Sequence, residues 1–416
     1  MSLDLVVRAG RLLDGRVVDL GVQTGRIEAL TDDLGSAPRR GAKTIDADGR
    51  LVTPSFVNAH LHLDKVYTLP LVDDRAIGEY TGAGMTTAKT AIDTARTVKA
   101  DYRRDVQLSN VKRAMYEAVR HGSLHIQAFV DVDTMAQLDG LDAVLTAREE
   151  FRHLLTTTVV AFPQDGVLRD RGAAELCEQA VDLGADVVGG IPWIEDTEDD
   201  AREHVEWACS LAARTGRRVA MLVDDAGDAS LHTTQMLAEA MLRHGLSGRG
   251  IACHARAAGL YSDLDLQRLI ELAKRAGLGF VSNPHTGPLA LPVDRFQQAG
   301  VPVVLGQDDI EDAYYPYGRN NMLEIAFLAS HLLDVRTGTD QLRLLDMVTT
   351  LAAQVLGLTG HDVQPGAAAN LCVHESERVV DLLRDHAAPR WVISRGRVVA
   401  ETTTTTTLHV DGQETG

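Results

Sequence analysis

His60, Leu61 and His62 form a His-x-His triplet that closes a run of apolar and small residues, Phe56-Val57-Asn58-Ala59. On an extended strand residues i and i+2 face the same side, so both imidazoles can converge on one point and offer their lone pairs there. Groups of the same kind stand where other apolar runs end: Asp225, His254, His285 and the pair Asp308-Asp309. Imidazoles and carboxylates brought together are the groups of acid–base catalysis and of metal-assisted hydrolysis. Gln164, at the end of a further run, offers a donor group and an acceptor group, the pattern that reads the amide or amidine edge of a heterocycle. Tyr314, Tyr315 and Tyr317 follow the Asp pair, and an aromatic ring there can stack on a flat substrate. Each has a plainer reading as well. Gln164 can be a satisfied strand-end amide, the tyrosines loop packing, and Asp225 an acid ahead of the helix near Leu231, a role Asp228 fills equally well.

For these groups to meet, a scaffold must bring strand ends that are distant in sequence to one rim. Apolar runs at 56–62, 125–132, 158–164, 187–191, 219–225, 251–254, 279–283 and 301–308 alternate with amphipathic stretches, which is the mark of βα units around a parallel sheet. Eight units point to an α/β fold of the (β/α)8 TIM-barrel type, whose chemistry sits at the carboxyl ends of the strands. An open dinucleotide-binding sheet would carry G-x-G-x-x-G in its first turn, and none is present. One long extra helix is expected over 92–121. Short β-branched runs at both ends predict a small β-sandwich domain built from 1–55 and 362–416, with the barrel over 56–361. Six consecutive threonines, 402–407, suit a terminal strand or tail and are given no function.

Composition narrows the class. The chain has 416 residues, 45% of them hydrophobic and 24% charged, enough apolar material for a large packed core. A net charge of −18 repels phosphate backbones and anionic membrane surfaces, so neither a nucleic acid nor a membrane is expected as partner, and a small molecule is. Four scattered cysteines without a C-x-x-C pair indicate neither a disulfide framework nor a thiolate zinc site. The amino terminus lacks the features of a signal peptide and no long apolar run occurs, so the expected location is the cytoplasm.

The run Thr53-Pro54-Ser55-Phe56-Val57-Asn58-Ala59-His60-Leu61-His62-Leu63-Asp64-Lys65 resembles the first-strand signature of the amidohydrolase superfamily, and of its cytosine deaminase branch in particular. Ala161-Phe162-Pro163-Gln164, Gly184 to Pro192, Gly306-Gln307-Asp308-Asp309, Tyr315-Pro316 and Asn321-Met322-Leu323 extend the resemblance over nearly the whole chain. It implies a hydrolase of non-peptide C–N bonds with one divalent ion, zinc or iron. His60, His62 and Asp308 match metal ligands, and His254 matches a histidine that contacts the hydrolytic water or a second metal position. Gln164 matches the substrate-edge glutamine, and Asp309 the second acid of the pair. Tyr314 joins them as a substrate contact, and Lys65, Arg319 and Asn321 are further candidates. Homo-oligomers are common in this branch.

One departure matters. Where the family reads His-Cys-Asp-Glu on strand five, with a ligand and a proton shuttle, this chain reads Leu222-Val223-Asp224-Asp225. Leu cannot donate to a metal, so three ligands are left, with Asp224 or His254 as groups that could complete the shell, and Asp225 takes the shuttle position. With Asp225, His254 and Asp308 as the acid–base groups, deamination or amide or amidine hydrolysis of a small nitrogen heterocycle is expected. The alternative is a non-hydrolytic relative whose metal site is altered or lost, either a ring-opening or lyase enzyme or a binding protein. A bridged two-metal site needs a strand-four lysine, and the 187–191 run has none.

Overall fold

The computed structural model describes residues 3–34, 42–72, 85–410 and 413–415. Its centre is an eight-stranded parallel sheet: β1 (Phe56–His62), β2 (Ser123–Asp131), β3 (Thr156–Phe162), β4 (Val187–Gly190), β5 (Arg218–Val223), β6 (Gly250–His254), β7 (Gly279–Ser282) and β8 (Val303–Leu305). Each strand pairs with the next in sequence. The ring closes just beyond β8, where Asp308 N donates to His60 O and His62 N donates to Asp308 O, both at 2.8 Å. This is the expected (β/α)8 barrel, and all eight expected strands are present, although β8 is shorter than 301–308.

Parallel strands covered on both faces read as continuous apolar runs, and the packing resolves each run into two sets. On β5, Val219, Met221 and Val223 pack outward with Val205, Leu237 and Met241 of the helices. Ala220 and Leu222 pack inward with Val57, Ala59, Phe129, Val160, Ile251, Cys253, Val281 and Val304, the filling of the barrel. On β1 the alternation changes phase. Val57 and Ala59 face inward, the pairing with β2 shifts between Asn58 and Leu61, and Leu61 and Leu63 then join the outer layer. A one-residue irregularity turns every later side chain over. That shift is what turns both histidines of the triplet into the barrel, where the His60 ring packs 4.1 Å from the Phe129 ring.

Two four-stranded sheets lie outside the barrel. Leu5–Arg11, Val17–Gln23, Arg26–Thr31 and Lys43–Asp46 form one, and Val52–Pro54 joins Leu371–Val373, Trp391–Ser394 and Arg397–Glu401 in the other. Leu5, Val7, Leu20, Val22 and Ile27 of the first share a core with Val52, Leu371, Val373, Trp391 and Ile393 of the second, so strands from both ends make the sandwich.

Two expectations need correction. The single helix over 92–121 is two helices, Met85–Val98 and Arg104–Arg120, separated by a 3-10 turn at Lys99–Asp101. Lys99 turns into the protein at that break, where its ammonium meets buried carboxylates, and an unbroken helix does not supply that path. The threonine run is no strand: 402–407 is an irregular link between Arg397–Glu401 and Leu408–Val410. Among the described residues, no helix is long and apolar enough to cross a membrane.

Candidate active site

Strand ends deliver the polar groups because the backbone turns sharply there. Asp224, His254 and Asp308 have φ values of 47°, 68° and 69°, a left-handed conformation that is uncommon away from glycine and tends to collect at functional sites. Gly306 permits the approach of β8 to β1: a Cβ there would lie 2.6 Å from His60 Cβ and 2.6 Å from Asn283 Oδ1. Only glycine fits, and Asp308 follows it into the rim.

Asp308 is the hub. His60 Nε2 lies 2.8 Å and His62 Nε2 3.5 Å from its Oδ1, while His285 Nε2 lies 3.6 Å and His254 Nε2 3.7 Å from its Oδ2. All five side chains are buried. Among the described residues, neither His60 nitrogen makes a hydrogen bond of acceptable geometry, and both His285 nitrogens and His62 Nδ1 are also without one. Burial drives His60 down to about 3 and His62 and His254 well below their ordinary value, so these rings are neutral and carry lone pairs. Burial also pushes Asp308 up to about 7, and burial followed by Asp308 holds Asp309 well above its ordinary value. Neutral nitrogens facing a carboxylate without hydrogen bonds form a donor set that suits a cation. His60, His254 and Asp308 make one group whose donor atoms lie within 4.8 Å of one another, and His62, Asp308 and Asp309 make another. The separations of 3.5–3.7 Å are close to the edge of a tetrahedron with zinc–nitrogen bonds of about 2.0–2.1 Å, which is roughly 3.4 Å.

Leu222 forms part of the cavity wall as expected and brings no donor. Asp224 does not complete the shell. Its Oδ1 accepts from Thr233 N and Oγ1, both at 2.6 Å, and its Oδ2 from Thr234 N at 3.0 Å and Oγ1 at 2.5 Å. It pins the start of the helix Thr233–Arg243, because the left-handed turn at Asp224 ends the strand alternation that would have placed it beside Leu222. That also disposes of the capping role considered for Asp225 and Asp228. Asp225 instead faces the cavity, 3.3 Å from His254 Nδ1, and accepts from Arg256 Nε at 2.5 Å. Burial raises Asp225, with Arg256 acting against the rise.

Opposite this wall, Gln164 Oε1 accepts from Lys65 Nζ at 2.5 Å. Lys65 also pairs with Asp131 at 3.0 Å, and Lys99 pairs with Asp131, Asp133 and Asp165 at 2.9, 2.5 and 3.2 Å. Burial opposes both ammonium charges, yet Asp131 with Asp64 holds Lys65, and Asp131 with Asp133 holds Lys99, above the ordinary lysine value. Asp133, Asp165 and Asp170 also come close enough to hold an ion, but Lys99 already serves as the cation of that cluster.

A narrow cavity lies between the two walls, lined by His62, Gln164, Leu222, Asp225, His254, Asp308, Asp309 and Tyr314, with Ile92, Ile191 and Trp193 closing its sides. His60, His62, Gln164, Asp225, His254, Asp308, Asp309 and Tyr314 therefore meet at the barrel mouth, whereas Asp224 does not. Three weaker candidates are not free for substrate: Lys65 is engaged by Gln164, Arg319 pairs with Glu324 near the surface, and Asn321 caps the helix Met322–Leu332. Sequence reasoning missed Arg256, Lys99 and Trp193, and the signal for Lys99 was the rarity of lysine itself.

A match to the amidohydrolase family spans residues 43–400. The chain belongs to the amidohydrolase family. It is an enzyme of the cytosine deaminase-like branch, a group that acts on non-peptide C–N bonds and whose superfamily binds divalent metal. This amidohydrolase is similar to N-isopropylammelide isopropyl amidohydrolase of Pseudomonas sp. strain ADP, 28% identical over 96% of this chain and 98% of the relative. It is also similar to pterin deaminase of Rhizobium rhizogenes, 25% identical over 92% of this chain and 87% of the relative. Among solved structures, 5-methylcytosine deaminase from Klebsiella pneumoniae liganded with 5-fluorocytosine superposes with a TM-score of 0.88 at 28% identity, covering 96% of this chain and 98% of that one.

Proposed function

We propose that this amidohydrolase uses one divalent ion, zinc or iron, held by His60, His62 and Asp308, to hydrolyse a C–N bond at an sp² carbon of a small nitrogen heterocycle. The observation that carries the reading is the convergence of neutral imidazoles on Asp308 at the edge of a slot that also holds Gln164. When bound, such an ion polarises water and lowers its pKa towards neutrality. The protein does the rest. Asp225, fixed by Arg256, collects a proton from the water and passes it through His254, 3.3 Å away, to the departing nitrogen. Asp308 shares the base role. Gln164 and Asp309 hold the polar edge of the ring, and Tyr314 and Trp193 give it flat walls.

The apolar side chains of Ile92, Ile191, Trp193 and Leu222 narrow the slot, which favours a single ring with small substituents. Ammonia or a small amine is the leaving group, and the relatives named for N-isopropylammelide, pterin and 5-methylcytosine lie within this chemistry. Retention of His60, His62 and Asp308 around Leu222 speaks against a binding protein that has lost its chemistry. We take the chain to divide into 1–55 with 362–416 and 56–361. The four cysteines, all free and buried, support a cytoplasmic location, and association into a homo-oligomer belongs to the same reading. The test is metal analysis with chelation. Activity on an aminated pyrimidine or triazine should disappear with the metal and return with zinc or iron, and full activity in metal-free protein would overturn the mechanism.

A further inference from the structure

Lys65 is one of only six lysines, and its side chain lies inside the barrel mouth with 4% exposure. Its ammonium is held in place from several sides: Asp131 at 3.0 Å, the Tyr314 ring centroid at 5.3 Å and the Phe162 ring centroid at 5.9 Å. Asp131 is itself anchored by Lys99 at 2.9 Å and through its backbone N, which donates to Asp64 Oδ2 at 3.1 Å. From this position Lys65 donates to Gln164 Oε1 at 2.5 Å.

An ammonium has donors only, whereas the two ends of a carboxamide differ in sign. Turning the Gln164 amide over would set its NH2 against Lys65 Nζ, donor to donor, in a buried site where that mismatch is most costly. The amide is thereby locked with Oε1 on the lysine. Nε2 has no hydrogen-bond partner among the described residues, and it is the end left for the cavity that Gln164 lines.

We propose that Lys65 is a positioning residue that sets the polarity of the substrate edge: by pinning Gln164 Oε1 it presents Nε2–H to the cavity, so the enzyme selects heterocycles with a hydrogen-bond acceptor, such as a ring carbonyl, on that edge. This rests on the heterocycle reading above. Lys65 touches the glutamine rather than the substrate, so its effect lies in discrimination between ligands.

The test uses two probes of the same ring, 2-pyrimidinone and 2-aminopyrimidine, which carry an accepting oxygen or a donating amino group at C2. Binding to the zinc-loaded protein is measured by calorimetry, with metal content checked for each variant. The wild type should bind 2-pyrimidinone about tenfold or more tightly than 2-aminopyrimidine, the range expected for one matched against one mismatched buried hydrogen bond. Lys65→Met frees the amide to turn, and the ratio should fall to within about threefold. Gln164→Glu keeps an oxygen on Lys65 but offers a second oxygen to the cavity, and the preference should reverse. Equal weakening of both probes in Lys65→Met, with the ratio preserved, would overturn the proposal and leave the heterocycle reading intact. So would an unreversed preference in Gln164→Glu. Failure of both probes to bind the metal-replete wild type would overturn the heterocycle reading and this inference together.

Discussion

On the β2–β3 side of the barrel mouth, two buried lysines reach Asp131, Asp133 and Asp165 at 2.5–3.2 Å, so each ammonium has carboxylates of the same chain around it. On the β1–β8 side, His60, His62, His254 and His285 surround Asp308, and several of their nitrogens make no hydrogen bond among the described residues. Both clusters are equally buried, so desolvation alone does not distinguish them. The first compensates its charges internally and so fixes Lys65 against Gln164. The second exposes lone pairs to one another and is completed by a cation from outside. A buried polar cluster is thus read for function by what it leaves unmatched.

The largest expected effect is on the unmatched side. His60→Ala or His62→Ala should lower turnover by about 10³-fold or more with loss of bound metal, read by steady-state kinetics and metal analysis, while the urea midpoint of the chelated protein changes little. The matched side should behave in the opposite way. Lys99→Met strands Asp133, while Asp131 keeps Lys65, and should cost about 3–5 kcal/mol of stability, measured by urea unfolding. Asp308→Asn in the chelated protein should leave stability unchanged or slightly higher, since burial already pushes that carboxyl up to about 7. Comparable destabilisation by the two substitutions would erase the distinction.

Leu222→His should sharpen it by adding a nitrogen to the open wall. The expectation is metal affinity about 10–100-fold higher, measured by competition with a chromogenic chelator, with the chelated protein destabilised because Leu222 packs in the barrel filling. The smallest effect concerns pH. Burial, then Asp131, pushes Asp64 up to about 8, so the folded state keeps a proton that the unfolded state releases near 4. Its contribution to stability therefore falls as pH rises from about 4 to about 8. Asp64→Asn keeps an acceptor for Asp131 N and should gain about 1–2 kcal/mol at pH 8 and nothing at pH 4, by urea unfolding at both values.

Much of the site was legible in the sequence because each member closes a local apolar run: His62 ends β1, His254 ends β6, and Asp308 follows β8 closely. The eight strands were legible for the same reason, since parallel strands covered on both faces must be apolar throughout. Asp224 shows where that reasoning stops. Its place two residues after Leu222 suggested a ligand, but one left-handed residue turned it towards Thr233 and Thr234.

Residue type and spacing determined the barrel and the convergence of His60 and His62, since these follow from strand periodicity, and the resemblance to the amidohydrolase superfamily pointed to the missing strand-five donor at Leu222. Tertiary structure decided the rest. The shift in pairing after Asn58 set which side of β1 faces inward, and the break before Arg104 brought Lys99 to Asp131. The contact of Lys65 with Gln164 set which end of an amide meets the ligand. These depend on atoms that approach within about 3 Å across tens of residues of chain, and a hydrogen bond or ion pair has a sign only once both partners are in place.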